Sequence, residues 1–578
     1  MVVLALLISL FALLAGRLGQ VQLVQGPQQR AEARAVNSRT VIDHSLRGRI
    51  LDRAGAPLAA NDVTTTVTVE RSVLLDAPDG GRALIEGVAG ALGLPFEQLW
   101  GKTTLCGTAG APPSPACFNG SPYVPIPIAT EVDPRRALTL VEQPEKYPGV
   151  GVAATPARRY PLPSGARASH LLGYIGQANA GEVVGSSGRL DAEDVVGRSG
   201  LEAQYDAVLR GTNGQTIVSV DPRGAVTGTL SSEPPVPGRD VVTHLDSRLQ
   251  ATVESVLAST VATARADQQK ADTAAAVVLD VTTGAVVAAA SYPSYDPNVF
   301  VGGISGTDLA RLQDPAAGTP LRSRLTADTY APASTFKVIS VPAAINAGAS
   351  LTGKYDCSPD FQVGGQIFNN YESRGYGMID LHRTLVISCD TVFYRLAYAA
   401  WLDQGGVAAG TAAPDPFVEM ARDFGLGART GIDLPGEVAG RIPDRAWKQE
   451  YWTATKDETC ARAKSGYPQV AKTDPARADY LTRVAAESCA TGYQYRAGDA
   501  INFSIGQGDL AVTPLQMAAV YAAVANGGTL WQPHLAAGYR NPADPTAPLE
   551  VIPPHRNGAV GVRGDVLKYV QRALGDVT

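Results

Sequence analysis

The pattern of apolar and polar positions divides the chain into an apolar start and two folded regions of different texture. Met1 to Gly16 is apolar apart from Ser9, and a weaker apolar stretch, diluted by Gln20 and Gln22, continues past Arg17 to Val24. A spanning helix needs about 20 residues, which the run reaches if Arg17 carries its charge to the outer interface on its own aliphatic stem. Residues 1–24 therefore read as an uncleaved transmembrane signal-anchor rather than a cleaved leader, whose apolar stretch sits behind a basic start. No basic residue precedes this run, so a short cytoplasmic basic segment ahead of it is expected. Residues 25–46 are a linker, polar and Ala/Arg-rich from Gln25 to Asn37.

Periodic segments begin at Arg47. Arg47-Gly48-Arg49-Ile50-Leu51-Asp52-Arg53-Ala54-Gly55 carries turn chemistry and leads into Thr64 to Val69, whose β-branched residues predict a strand. Arg82 to Leu94 has helical periodicity, Gly107 to Pro127 is a Pro/Gly-rich loop, and Asp133 to Glu142 predicts another short helix. Residues 47–235 thus form a mixed α+β module, closed by the punctuation of Pro234 to Gly238. Beyond it, Asp246 is placed to cap an amphipathic helix reaching Asp267, with Gln250 and Val253 inside it. Ala274 to Asp280 and Ala285 to Ala290, joined by Val281-Thr282-Thr283-Gly284, predict a hairpin, and a second domain fills residues 236–578.

Composition changes this picture little. A chain of 578 residues has room for several cores, and 18% charged residues with a net charge of -6 give no footing for nucleic-acid binding or an acidic-tail role. The cysteines say more, because an exported chain is free to form disulfides. Cys106 and Cys117 flank a Gly/Ala/Pro-rich loop and Cys460 and Cys489 flank a polar excursion, so each pair is expected to be bonded. For Cys389 two readings stand: a bond to Cys357, or a small buried apolar filler between Ser388 and Asp390.

The chemistry is concentrated at Ser334-Thr335-Phe336-Lys337, preceded by Tyr330-Ala331-Pro332-Ala333, and at Ser388-Cys389-Asp390. A serine hydroxyl needs a neighbouring base, and i,i+3 spacing at a helix start places a lysine amine on the same face. Pro332 disfavours helix at Ala331, which lets the helix begin near Ser334. Amide groups at such a start stabilise negative charge, making the Ser334 N–H a natural half of an oxyanion hole. Burial beside another cation would lower the pKa of Lys337 and free it to act as the base. His170, His382 and His534 read as structural, since no metal-ligand spacing links them.

Taken with their surroundings, these residues resemble a class B, monofunctional penicillin-binding protein, in which S-x-x-K and S-x-N motifs are completed by a K-T-G strand. Ser291 to Asn298, Phe424 to Gly427 with Thr430-Gly431-Ile432, Ile505 to Gly508 and Val512 to Met517 resemble family segments in family order, as do Arg47 to Asp52 and Gly197 to Gly211. The resemblance implies an α+β multidomain chain: a membrane anchor, an elongated dimerisation or pedestal domain over 47–235, and a serine β-lactamase/transpeptidase-like domain over 236–578. It implies peptidoglycan D,D-transpeptidation without a metal or organic cofactor. Ser334 would be the acylated nucleophile, Lys337 the general base, Ser388 the proton relay and Asp390 the orienter of Lys337. Asp390 stands where Asn is more familiar, and some elongation-type members resemble this S-x-D form. Implied partners are stem peptides ending in D-Ala-D-Ala, β-lactam antibiotics and a membrane glycosyltransferase of the cell-wall machinery.

Lys464-Ser465-Gly466 matches the third motif by its letters, but it precedes the Ile505-to-Gly528 segment, whereas in the family that strand follows it. The third motif is therefore expected beyond Thr578, with the transpeptidase domain incomplete at its C-terminus. A β-lactam sensor and a catalytically silent cell-wall scaffold are the rival readings.

Overall fold

The computed structural model describes residues 2–20, 38–112, 116–121, 123–186, 190–191, 193–220, 226–544 and 546–577. Helix α1 (Val2–Gly19) opens the chain. Among the described residues no helix is long and apolar enough to cross a membrane; residues 21–24 of the expected anchor lie outside the described ones.

The first folded region runs β1 (Ser38–Asp43), β2 (Ile50–Leu51), β3 (Pro57–Val69), α2 (Arg82–Leu92), β4 (Ile126–Ala129), α3 (Pro134–Val141), β5 (Val150–Arg159), β6 (Gly214–Val220) and β7 (Val226–Glu233). The helices expected at 82–94 and 133–142 are α2 and α3, and Asp133 caps α3 by accepting the Arg135 N–H. The strand expected at 64–69 is the second half of β3, which pairs along its length with β5.

The second region holds β8 (Asp240–Thr243), α4 (Ser247–Ala266), the hairpin β9 (Ala274–Leu279) and β10 (Val286–Tyr292), and α5 (Lys337–Asn346). It continues with β11 (Tyr355–Cys357), β12 (Asp360–Val363), β13 (Gln366–Asn369), β14 (Gly377–Ile379), α6 (Asp390–Asp403), α7 (Arg445–Ser465), α8 (Pro475–Thr491), α9 (Pro514–Ala525), β15 (Ala536–Arg540) and β16 (Glu550–Val551). Asp246 accepts the Arg248 and Leu249 N–H groups at the start of α4, and Gln250 is buried inside it, donating to Ala289 O at 2.7 Å. The polar excursion between Cys460 and Cys489 is two packed helices, α7 and α8, joined by that disulfide.

One sheet runs through both regions, in the order β16-β15-β8-β2-β3-β4, with β5 also on β3. β8 pairs in parallel with β2 (Val241 opposite Ile50) and antiparallel with β15 (Val241 opposite Tyr539). Ile50, Leu51, Val241 and Val242 are all buried, as a strand covered on both faces requires. A side-chain tie reinforces the sheet: Tyr205 donates to Asp433 Oδ2 at 2.7 Å, while Asp433 also accepts the Leu535 and Ala536 N–H groups.

The amino-terminal family-like pieces meet in a buried polar knot. Glu202, with no exposed side-chain area, accepts from Arg47 Nε at 2.7 Å and Arg158 Nε at 2.7 Å. Arg47 also pairs with Asp206 at 2.8 Å, and Tyr160 donates to Glu202 at 3.3 Å. Burial pushes the Glu202 carboxyl up, but Arg158 and Arg47 outweigh it and hold it below the usual carboxylate range. The segments quoted as separate motifs are thus the walls of one ion cluster.

All six cysteines are bonded, 106 to 117, 357 to 389 and 460 to 489. The filler reading of Cys389 is overturned.

Candidate active site

The chain enters the site on an antiparallel bridge, with Tyr330 and Val512 exchanging N–H···O bonds of 2.9 Å. Residues Ala333–Phe336 then form a 3₁₀ turn, and the α-helix proper starts at Lys337. The helix expected to begin at Ser334 therefore begins three residues later. The reason is local: Ala333 sits at φ +51°, outside the helical region, and its N–H is held by Gly506 O at 2.8 Å. Ser334 is exposed on this turn while Phe336 and Lys337 are buried, so the turn sorts the serine outward and those two side chains inward. Its amide belongs to a 3₁₀ turn feeding α5, not to the first turn of a helix.

The Ile505-Gly506-Gln507-Gly508 segment is a backstop for that turn. Gly506 has φ +73°, and a Cβ there would meet Ala333 O at 2.3 Å and Phe336 Cβ at 2.7 Å. Gly506→Ala is expected to displace the Ser334 turn and to slow acylation about 100-fold, the cost of roughly an ångström of misplacement. Stopped-flow with a fluorescent β-lactam reads this directly. Further props come from the same part of the chain: Tyr521 donates to Thr335 O at 3.2 Å and Ser340 to Ser504 O at 2.6 Å.

Lys337 is 2% exposed and uses all three of its protons: on Ser388 O at 2.8 Å, Ser388 Oγ at 3.0 Å and Asp390 Oδ1 at 2.5 Å. The structure thus brings Lys337, Ser388 and Asp390 together. Ser334 lies in the turn directly before Lys337, and its hydroxyl makes no hydrogen bond among the described residues. Burial lowers the Lys337 pKa, and Asp390 opposes that by charge and hydrogen bond without cancelling it. The expectation of a neighbouring cation is corrected. Desolvation alone does the lowering, and the neighbour is an anion.

Asp390→Asn would remove the group that resists the shift. The rising limb of the acylation rate against pH is then expected at lower pH than in the parent, measured with the same β-lactam across a pH series.

Ser388 has φ +56°, Cys389 is the N-cap residue of α6 and Asp390 its first residue. Cys389 makes no side-chain capping bond; Asn370 Oδ1 accepts the Asp390 N–H at 2.9 Å instead. Sequence reading missed Asn370, because capping rules look beside a helix start and this acceptor comes from twenty residues upstream. An apolar cap position at Cys389 was the available hint.

The remaining candidates lie elsewhere. His170 is half-buried against Tyr295 and bonded to Pro320 O at 2.7 Å, and its removal from water lowers its pKa to about 4. His382 pairs with Asp576 at 2.8 Å, and His534 stacks edge-on with His244. Lys464 and Ser465 end α7, and Gly466 is its C-cap, so these letters form no strand.

Residues 274–577 match the penicillin-binding protein transpeptidase domain. The chain belongs to the penicillin-binding protein transpeptidase family. Residues 42–243 match the penicillin-binding protein dimerisation domain, so this penicillin-binding protein carries both modules. Among curated relatives, the peptidoglycan D,D-transpeptidase MrdA of Escherichia coli K12 is 29% identical over 503 residues, covering 85% of this chain and 66% of the relative. The MrdA of Haemophilus influenzae is 30% identical over 425 residues, covering 72% of this chain and 55% of its own length. The chain thus spans a little under two thirds of the first of these relatives. Among solved structures, the Helicobacter pylori PBP2 in complex with MreC superposes with a TM-score of 0.65 at 23% identity, covering 93% of this chain and 84% of that one. A chain of a peptidoglycan synthase complex, described as coordinating polymerization and crosslinking, gives a TM-score of 0.63 at 26% identity, covering 99% and 84%.

Proposed function

We propose that this penicillin-binding protein is a peptidoglycan D,D-transpeptidase that works through an acyl-enzyme at Ser334. The observation that carries the reading is the buried Lys337 ammonium, one turn after an exposed serine, bonded at once to Ser388 and Asp390. In its amine form Lys337 keeps two of those bonds and offers a lone pair to the Ser334 proton. Ser334 Oγ then attacks the carbonyl carbon of the D-Ala-D-Ala bond, and the C–N bond breaks. The departing D-Ala amine takes a proton relayed from Lys337 through Ser388, whose hydroxyl already accepts from Nζ. Attack by an acceptor amine on the ester forms the cross-link and returns the serine. β-Lactams acylate the same oxygen. No step calls for a metal or organic cofactor.

The match to proteins named MrdA and the Ser388-Cys389-Asp390 form of the second motif favour an elongation-type role. The likeness to a synthase complex that couples polymerization to crosslinking favours a membrane glycosyltransferase as partner. The apolar start at residues 1–24 favours a single-pass anchor with the catalytic domain outside the cell membrane.

The test is fluorescent penicillin labelling of the full chain with peptide mapping of the adduct, run beside a stem pentapeptide whose D-Ala release is followed. A persistent adduct on the Ser334 peptide with D-Ala release is expected. Absence of any adduct favours the scaffold, a stable adduct with no D-Ala release the sensor, and rapid loss of the adduct a β-lactamase.

A further inference from the structure

Between α5 and the second motif the chain leaves the core as two nested hairpins, β11 with β14 and β12 with β13. This excursion is strapped to the start of α6 by contacts that the mechanism above does not use. Cys357 ends β11 and is bonded to Cys389, the residue between Ser388 and Asp390, and both sulfurs belong to buried residues. Asn370 caps Asp390 as described, and Thr391 Oγ1 donates to Ser358 O at 2.9 Å. Arg395 donates to Ser358 Oγ at 2.6 Å and pairs with Asp356 at 3.0 Å. Asn370 is itself fixed: it is 4% exposed, its Nδ2 donates to Arg374 O at 2.7 Å, and its own N–H donates to Pro359 O at 2.9 Å.

Two features of the second motif need such outside support. The first turn of α6 has N–H groups with no partner inside the helix, and its own cap residue, a disulfide-bonded cysteine, offers no oxygen. Ser388 stands at φ +56°, a region that a non-glycine residue keeps only when its surroundings over-determine it. Both demands fall on the two residues that hold the Lys337 ammonium.

We propose that Asn370 and the Cys357–Cys389 disulfide form a positioning strut for acylation, holding Ser388 and Asp390 against Lys337 while touching no substrate. The strut rests on the reading of Ser334 as the nucleophile. Its removal lets the start of α6 relax, so Ser388 and Asp390 drift from Lys337 and water reaches the amine. The groups facing that amine are Asp390 and Ser388 at the start of α6 and the Phe393 ring of the same helix, 5.8 Å away; Asp390 is the charge acting on it. Rehydration relieves the burial that lowers the Lys337 pKa, and because that burial outweighs the opposing pull of Asp390, losing both moves the rising limb of the pH profile to higher pH, opposite to Asp390→Asn, which removes the pull and keeps the burial.

The test is stopped-flow acylation of the full chain by a fluorescent β-lactam, resolving the non-covalent Kd from the acylation rate constant across pH. Asn370→Ala and the double variant Cys357→Ala with Cys389→Ala are each expected to lower the rate constant about 10- to 100-fold. Kd should stay within about twofold, as expected for an interaction that acts in the chemical step, and the pH limb should shift upward. Asn370→Asp, which keeps the acceptor oxygen but loses the bond to Arg374 O, is expected to recover only part of the high-pH rate. Removing the distant Cys106–Cys117 bond in the same way should change neither quantity. An unchanged rate constant in both strut variants overturns the proposal. So does a smaller labelled fraction whose rate constant and pH limb match the parent, since that is a folding effect alone. If the parent itself forms no adduct, the Ser334 reading fails first and the strut falls with it.

Discussion

Lys337→Ala is expected to slow acylation of Ser334 by a β-lactam by roughly 10³-fold or more, and Ser334→Ala to abolish the adduct altogether. General-base assistance of this kind contributes on the order of 10²- to 10⁴-fold, and here the lost group also organises its neighbours. Three hydrogen bonds converge on one buried nitrogen. Without it, Ser388 Oγ loses its donor and Asp390, already 15% exposed with the lysine in place, faces a space that water can enter. The parent rate should rise with pH through a midpoint below that of an ordinary lysine, because burial disfavours the ammonium. The Lys337→Ala residual rate should lack that limb. A residual rate that still follows the parental limb would mean that another group is the base.

Glu202→Ala is expected to cost about 3–5 kcal/mol, the usual consequence of removing one partner from a buried ion cluster. Arg47 and Arg158 have side chains 9% and 2% exposed, so their charges cannot be rehydrated in place. The pH dependence has a definite sign. The Glu202 carboxyl is held below its ordinary range in the fold, so its contribution is complete above about pH 4.3, the unfolded carboxylate value, and is lost as pH falls through the folded one. A chain of this size does not unfold in one step, so the measurement is a calorimetric scan of the full chain across pH, read at the transition that Glu202→Ala displaces. Replacing Glu202 and both arginines together by apolar residues of similar volume should restore much of the loss, since it is uncompensated charge that is costly. Full-strength unfolding of the parent below pH 4 with no earlier change in the Glu202→Ala scan would fit this account; a parental midpoint that is flat from pH 7 to pH 3 would refute it.

What was legible in the sequence was local or carried by strings of residues. Helices α2, α3 and α4 and the β9–β10 hairpin announce themselves by periodicity, an Asp cap or a Thr-Gly turn. Ser334, Lys337, Ser388 and Asp390 could be named because each lies in a short ordered motif. The illegible part depends on partners far apart in the chain. Nothing beside Ile50 says that it will lie against Val241, nor beside Val241 that Tyr539 will take its other edge. The Ser334 turn looked helical because Pro332 permits a helix start; Gly506, distant in sequence, makes it a 3₁₀ turn instead. Asn370 escaped for the same reason, and the Cys357–Cys389 bond stood in the sequence only as one of two readings.

The shared sheet also sets an order of assembly. β2 and β8 come together once synthesis has passed Thr243, but the other edge of β8 waits for β15, which ends at Arg540. For the whole interval a buried-type apolar strand presents unpaired N–H and C=O groups, the kind of edge that recruits foreign strands. The Ser334 turn is delayed likewise, since its backstop is Gly506 and its bridge Val512. A nascent chain therefore carries neither the paired edge of β8 nor a buttressed Ser334 turn until synthesis has passed Arg540, and its most aggregation-prone period comes before that point.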